Sequence, residues 1–252
     1  MEKKAKIGDI LEIPTKKGLA YAQFSHYHSA PPTFGALLRI LPGFYSERPK
    51  NLQPLVDQKE MYYTFFPLQA ALNRGALNIA GHAEIPNFAK KFPLFRNGMI
   101  NQKTGKVDAW WLWDGAKEWK IGQLTDDQLD LPLHESWGTP VLISRIEEGW
   151  TPRYEEAFRQ AVRLCNQIQN TPGVKGIRHF LLFKSRSMAE RAKQQVDEAG
   201  FKSELVDHDA GFILAVHQGD PLTEEYVEHV TAQLVEIANK TGGTYDAWET
   251  TL

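Results

Sequence analysis

The feature that most constrains this chain is an alternation of short apolar runs and amphipathic stretches after residue 177. Residues 179–184 (HFLLFK) read as a strand. Ser187 opens a helix with Glu190 three residues on, the spacing of a capping box. Ala189, Ala192, Val196 and Ala199 form its apolar stripe, and Gly200 stops it. Residues 202–207 read as a strand, His208-Asp209-Ala210-Gly211 as a turn, and 212–217 (FILAVH) as the next strand. Thr223 caps the last helix, with Leu222 and Val227 placed as a hydrophobic staple. Val227, Val230, Leu234, Ile237 and Ala238 make its buried face. Gly242-Gly243 ends it, and 244–252 is a final strand.

The resulting order is β-α-β-β-α-β, that of a ferredoxin-like domain. Such a sheet carries helices on one face only. Yet strand 179–184 is apolar on both faces, Leu181 and Phe183 against Phe180 and Leu182, and strand 212–217 repeats this. A second cover is therefore expected, from a helix at 151–170, from the first half of the chain, or from a partner such as a second copy. That preceding helix is expected to start with Thr151 as N-cap and Pro152 at its first position. Tyr154, Phe158, Ala161, Leu164, Cys165 and Ile168 keep its period, and Pro172-Gly173 closes it.

The first half has another texture. Six of the seven tryptophans lie between Trp110 and Trp150. Short strands are expected at 7–13, 19–24, 35–41 (closed by Pro42-Gly43) and 61–66, with one helical turn at 70–73. Residues 99–100 and 107–113 fit a hairpin whose tip holds Lys103-Thr104-Gly105-Lys106, and 118–122 pairs back after an Asp114-Gly115 turn. The fold class is thus α+β, with a β-rich domain at 1–148 and a helix plus ferredoxin-like domain at 149–252.

Charge excludes some functions. The whole chain has 29 Lys and Arg against 31 Asp and Glu. Residues 1–150 hold 18 against 16, and residues 151–252 hold 11 against 15, so the second domain is acidic. Bulk attraction to nucleic acid is disfavoured. The third strand of the second domain follows Asp207-His208-Asp209-Ala210, acidic where an RNA-recognition sheet wants positive charge. One cysteine, Cys165, allows no intramolecular disulfide and no multi-cysteine zinc site, and its place on an apolar stripe reads as packing. No run suits a bilayer span and no apolar segment follows the charged start, so a soluble cytoplasmic protein is expected.

Catalytic motifs are scarce. Glycine-rich phosphate loops and a Gly-x-Ser-x-Gly elbow are absent. His82-Ala83-Glu84 has the spacing of zinc deaminases but lacks the later Cys-x-x-Cys. His26-Tyr27-His28 reads as a polar loop rather than a metal site. We expect no enzyme activity, no catalytic residue and no cofactor or metal. The cluster Trp110-Trp111-Leu112-Trp113 offers two readings. Trp110 and Leu112 fill a core while Trp111 and Trp113 cover a seam, or the latter two form a contact surface.

The helix at 223–240 with Thr241-Gly242-Gly243-Thr244-Tyr245-Asp246-Ala247-Trp248-Glu249-Thr250 resembles the ribonuclease E inhibitors known as regulator of RNase activity B. That family ends on a similar helix and a Tyr-Asp-Gly-Trp-Glu/Gly-Thr-like strand; here Ala247 stands where glycine is usual. The long acidic tail of some members has no counterpart here. The resemblance implies a ferredoxin-like domain that binds an endoribonuclease and blocks its action on RNA. More weakly, 6–14, 18–24 and the tryptophan-rich strands resemble the immunity protein 26 family, which implies neutralisation of a toxin by binding.

The expected function is therefore a non-catalytic regulator that occludes an endoribonuclease or toxin. The contact candidates are Tyr245, Asp246, Trp248, Glu249, Glu224, Glu225 and Glu228, with Trp111 and Trp113. The acids would complement a basic enzyme surface, or simply form a solvated helix face. In a regular strand Tyr245 and Trp248 point to opposite faces, so one of them is expected to look away from the helices. The alternative is a small-molecule or carbohydrate binder with a pocket lined by Trp111, Trp113 or Trp119.

Overall fold

The computed structural model describes residues 4–101 and 107–252, without the side chains of 156–158. The chain divides into two compact units, one running to Asn101 and including Val107–Arg153, the other Tyr154–Leu252. Helices and antiparallel sheets make up both, as an α+β chain requires.

In the first unit, strands β1 (Asp9–Thr15), β2 (Gly18–His28), β3 (Gly35–Tyr45), β4 (Tyr62–Phe66) and β5 (Asn78–His82) form a sheet in the order β4-β3-β2-β1-β5. Strands β6 (Phe95–Ile100), β7 (Val107–Trp113) and β8 (Glu118–Gly122) form a second sheet in chain order. The expected hairpin is β6–β7, and its tip at 103–106 lies outside the described residues. Short helices α1 (Gln53–Val56) and α2 (Leu68–Asn73) and the longer α3 (Thr139–Glu148) complete the unit. His26 and His28 lie in β2 rather than in a loop. Each sets Nε2 at 3.0 Å from a backbone carbonyl, of Lys90 and Gly115 respectively, so Nε2 carries the proton.

The core of this unit is aromatic, with a buried charge inside it. Leu37, Tyr63, Phe65, Phe95 and Trp113 form one cluster. Arg39, fully buried, donates to Glu60 (3.0 Å), Gln23 (2.9 Å) and the carbonyls of Val56 and Gln58 (2.9 and 2.6 Å). A guanidinium can be buried only when its donors are matched in this way.

In the second unit, α4 (Glu155–Asn170) precedes β9 (Gly176–Phe183), α5 (Arg186–Glu198), β10 (Lys202–His208), β11 (Gly211–Gln218), α6 (Glu224–Thr241) and β12 (Thr244–Thr251). The sheet runs β10-β11-β9-β12, all antiparallel, which is the ferredoxin-like arrangement. Two helix starts differ from expectation. Residues Pro152–Tyr154 form a single 3₁₀ turn, so α4 begins at Glu155 without Thr151 as cap. Helix α5 is capped by Ser185, whose Oγ accepts from the Met188 N–H at 3.4 Å, while Glu190 pairs with Arg186 instead of closing a capping box at Ser187. Helix α6 starts and stops as expected, with Thr223 accepting from the Tyr226 N–H and Gly242 in the left-handed conformation. The next residue must also be glycine, because a Cβ on Gly243 would lie 2.3 Å from the Phe183 ring.

Leu181, Phe183, Leu214 and Val216 pack under Ala189, Ala192, Val196, Val230 and Leu234. Helix α4 joins this helical side, where Leu164 and Cys165 meet Ile177 and Val227. It does not cover the other face of the sheet.

Strand β12 holds the main correction. Tyr245 pairs with Leu181 and Ala247 with Phe180, so Asp246 is an extra residue with no partner opposite. This bulge resets the alternation. Tyr245 and Trp248 therefore both pack on the helical side, although their spacing suggests opposite faces. The same register makes a sharp prediction. Deleting Asp246 leaves Tyr245, Ala247 and Trp248 in regular alternation with both aromatics inward, so the loss in stability should stay near ~1 kcal/mol. Deleting Asp246 and Ala247 together forces one aromatic outward and should cost ~3–5 kcal/mol. Urea unfolding of the two variants checks this.

Candidate protein-binding site

The contact candidates divide between the core and two separate surfaces. Tyr245 belongs to the core. Its hydroxyl lies 2.7 Å from Nδ1 of the fully buried His179, whose Nε2 lies 2.9 Å from Oε1 of Gln218. An amide oxygen only accepts, so Nε2–H donates to it and Nδ1 accepts from the tyrosine. The relay ties β12, β9 and β11 together and satisfies a neutral imidazole. Burial holds the His179 pKa down to about 4 against the pull of Gln218, and pushes the Tyr245 phenol up. Trp248 is half-buried between the two helical-side clusters. Trp113 lies in the first unit's aromatic core, stacked on His134 at 4.0 Å, and is not a surface residue. Trp111 is half-buried, with Lys120 Nζ 5.5 Å from its ring centre. Burial thus removes Tyr245 and Trp113 from the contact set.

Among the acids, Glu224 and Glu225 are exposed in the first turn of α6, and Glu228 follows half-buried. Glu224 and Glu228 lie near enough to Cys165 to add to the burial that pushes its thiol up to about 11, which marks a packing thiol. Asp246 occupies the bulge, half-buried. Glu249 is exposed on the opposite face of the sheet. Trp248, Leu222 and Val227 meet around Ile177, so the start of α6 and Glu249 share one end of the unit on opposite sides of the sheet. A single acidic patch is not formed.

The sheet face away from the helices is the surface that sequence reasoning did not resolve. Phe180, Leu182 and Ile213 are half-buried at its centre, over a fully buried Ala215, and Val206 is exposed beside them. The Arg178 guanidinium lies 5.4 Å from the Phe180 ring centre, with Glu204 at 3.4 Å and Glu249 at 3.5 Å. An apolar centre with a rim of mixed charge is the composition of a protein-binding surface. The doubly apolar pattern of β9 and β11 signals it, and no helix of this unit supplies the expected second cover.

Residues 171–250 match the model of the family described as Regulator of ribonuclease activity B. The match takes in β9, β10, β11, both helices between β9 and β12, and β12 up to Thr250. It includes none of residues 1–170, and the immunity-protein resemblance of the first unit gains no support. No curated protein matches the chain. Among the described residues no cluster of three or more His, Cys, Asp and Glu is placed to hold a metal. His82, from the deaminase-like spacing, bonds through Nδ1 to Asp9 at 3.0 Å. Also among the described residues, no helix is long and apolar enough to cross a membrane.

The relay predicts a pH effect. The folded pKa of His179 lies near 4 and the unfolded value near 6.5. Between these values the unfolded chain binds a proton that the folded chain refuses. The contribution is complete above pH ~6.5 and is lost as pH falls toward 4, by up to ~3 kcal/mol. Denaturant titrations at pH 7.5 and 4.5 should show that slope in the wild type and not in His179→Gln. Tyr245→Phe should cost ~1–3 kcal/mol at pH 7.5, because it leaves a buried nitrogen without a donor.

Proposed function

We propose that the Tyr154–Leu252 unit is a non-catalytic module that binds an endoribonuclease of the ribonuclease E type and restrains its cleavage of RNA. The observation that carries this reading is the match of residues 171–250 to the regulator family. The proposed contact surface is the sheet face centred on Phe180, Leu182 and Ile213. Glu204 and Glu249 lie on its rim, with Asp246 at the bulge and Glu224, Glu225 and Glu228 at the same end of the unit.

The mechanism is occlusion. An RNA-cleaving enzyme must present positive charge to its substrate. Carboxylates around an apolar centre complement such a surface, speed the encounter and compete with phosphate. Burying Phe180, Leu182 and Ile213 then supplies the affinity, since a few well-packed apolar anchors carry most interface energy. A regulator of this kind works where RNA is cleaved, which supports a cytoplasmic location.

The test is inhibition of a purified ribonuclease E-type enzyme cleaving a fluorescent RNA, with binding measured in parallel. Ile213→Glu should weaken binding at least ~30-fold, the effect of losing an anchor worth ~2 kcal/mol. Glu224→Gln with Glu225→Gln should lower the association rate a few-fold and flatten its salt dependence. Full inhibition by Ile213→Glu would defeat the assigned surface. No inhibition by the wild-type chain at any salt would defeat the function.

A further inference from the structure

The first unit holds a cleft that none of the tryptophans line, with a volume of about 940 Å³. Its walls are Phe24, Phe34 and Phe66, and Lys4, Lys6 and Tyr27 also line it. The volume lies in the ~300–1,000 Å³ range of small-molecule sites. Phe24 and Phe66 are buried, while Tyr27 is 58% exposed. The segment carrying the two lysines is tied to α2 by the Ala5 N–H, which donates to Gln69 Oε1 at 3.3 Å.

The charge of this cleft is one-sided. Both lysines are exposed, and neither forms an ion pair among the described residues. No Asp or Glu lines the cleft, in a chain that carries more acids than bases. Ammonium groups beside aromatic walls suit an anion with an apolar body, because each part gains something water does not give. An extended peptide fits less well. Adding a strand needs a free edge. The outer side of β4 beside the cleft is already engaged, since Trp137 N–H donates to the Phe65 carbonyl at 3.0 Å.

We propose that this cleft binds a small amphipathic carboxylate, its apolar tail against Phe24, Phe34 and Phe66 and its carboxylate on Lys4 and Lys6. The site uses the first unit alone and is independent of the ribonuclease reading.

The test is calorimetric titration of the full chain with dodecanoate below its micellar concentration. Saturable binding at one site is expected. Lys4→Gln with Lys6→Gln should weaken it about tenfold, the equivalent of ~1.4 kcal/mol. Dodecanol, the same chain without charge, should bind more weakly and ignore that double substitution. Ala70→Trp, at an exposed position lining the cleft, should abolish dodecanoate binding with the melting curve unchanged. If that variant fails to fold, the paired lysine substitutions, which lie on the surface, still decide. Absence of saturable binding, or equal affinity in the lysine variant, overturns the proposal. So does an acidic, phenylalanine-containing peptide that binds where dodecanoate does not, since the cleft would then belong to a protein segment.

Discussion

A bulge at Asp246 reconciles the spacing of the last strand of the second unit with the faces its aromatics take. Without a bulge between Tyr245 and Ala247, an aromatic three positions on from Tyr245 would point away from the helices. With it, Tyr245 reaches His179 and Trp248 reaches the groove where Ile177, Leu222 and Val227 meet. The relay follows from the bulge. A fully buried imidazole is tolerable only when both nitrogens are engaged, and the tyrosine hydroxyl supplies the second partner. With both aromatics inward, the other face of β12 shows Thr244, Ala247, Glu249 and Thr251. The motif that resembles the regulator family thus builds the domain, and the proposed contact surface lies beside it.

This explains what could and could not be read from the residues. Helix α6 was legible because its signals are local: a capping threonine, a staple of Leu222 and Val227, and a left-handed glycine. The bulge was not, since alternation alone assumes a regular pleat. Ser185 and Ser187 offer the same cap chemistry two residues apart, and only backbone geometry separates them. Pro42-Gly43 looked like a strand end, yet β3 runs through it. Its pairing with β4 spans only Ala36–Ile40, so the proline needs no N–H toward that side. Helix α3 had readable signals that were passed over: Pro140 in its first turn, Leu142 and Ile146 four apart, and Gly149 as a left-handed cap.

The tryptophan-rich half shows a different limit. Its concentration of aromatics left core and contact surface both open, and most are consumed internally. Trp137 and Trp150 stack edgewise at 4.9 Å with Arg145 against both, and Arg96 lies 4.9 Å from the Trp110 ring centre. Arginine is suited to this role because its planar, weakly hydrated head can be partnered by rings and carbonyls together. Nothing in a lone Arg39 or Arg96 marks it as interior. Their burial follows from partners contributed by distant segments, such as Glu60 for Arg39 and the Pro152 carbonyl for Arg96.

The sheet face opposite the helices also bears on the choice between RNA and protein as the partner. In RNA-recognition domains of the same β-α-β-β-α-β order, aromatics on the sheet stack against bases. Here Phe180 is the aromatic on that face, and it lies under Arg178, which is flanked by Glu204 and Glu249. A base stacking on Phe180 would have to displace the guanidinium and bring its phosphates against two carboxylates. A protein surface faces neither cost. It can pack apolar side chains on Phe180, Leu182 and Ile213 while its own cations meet the glutamates. Two glutamates flanking Arg178 over an apolar centre thus suit a protein partner better than RNA, in keeping with the proposed regulation by occlusion.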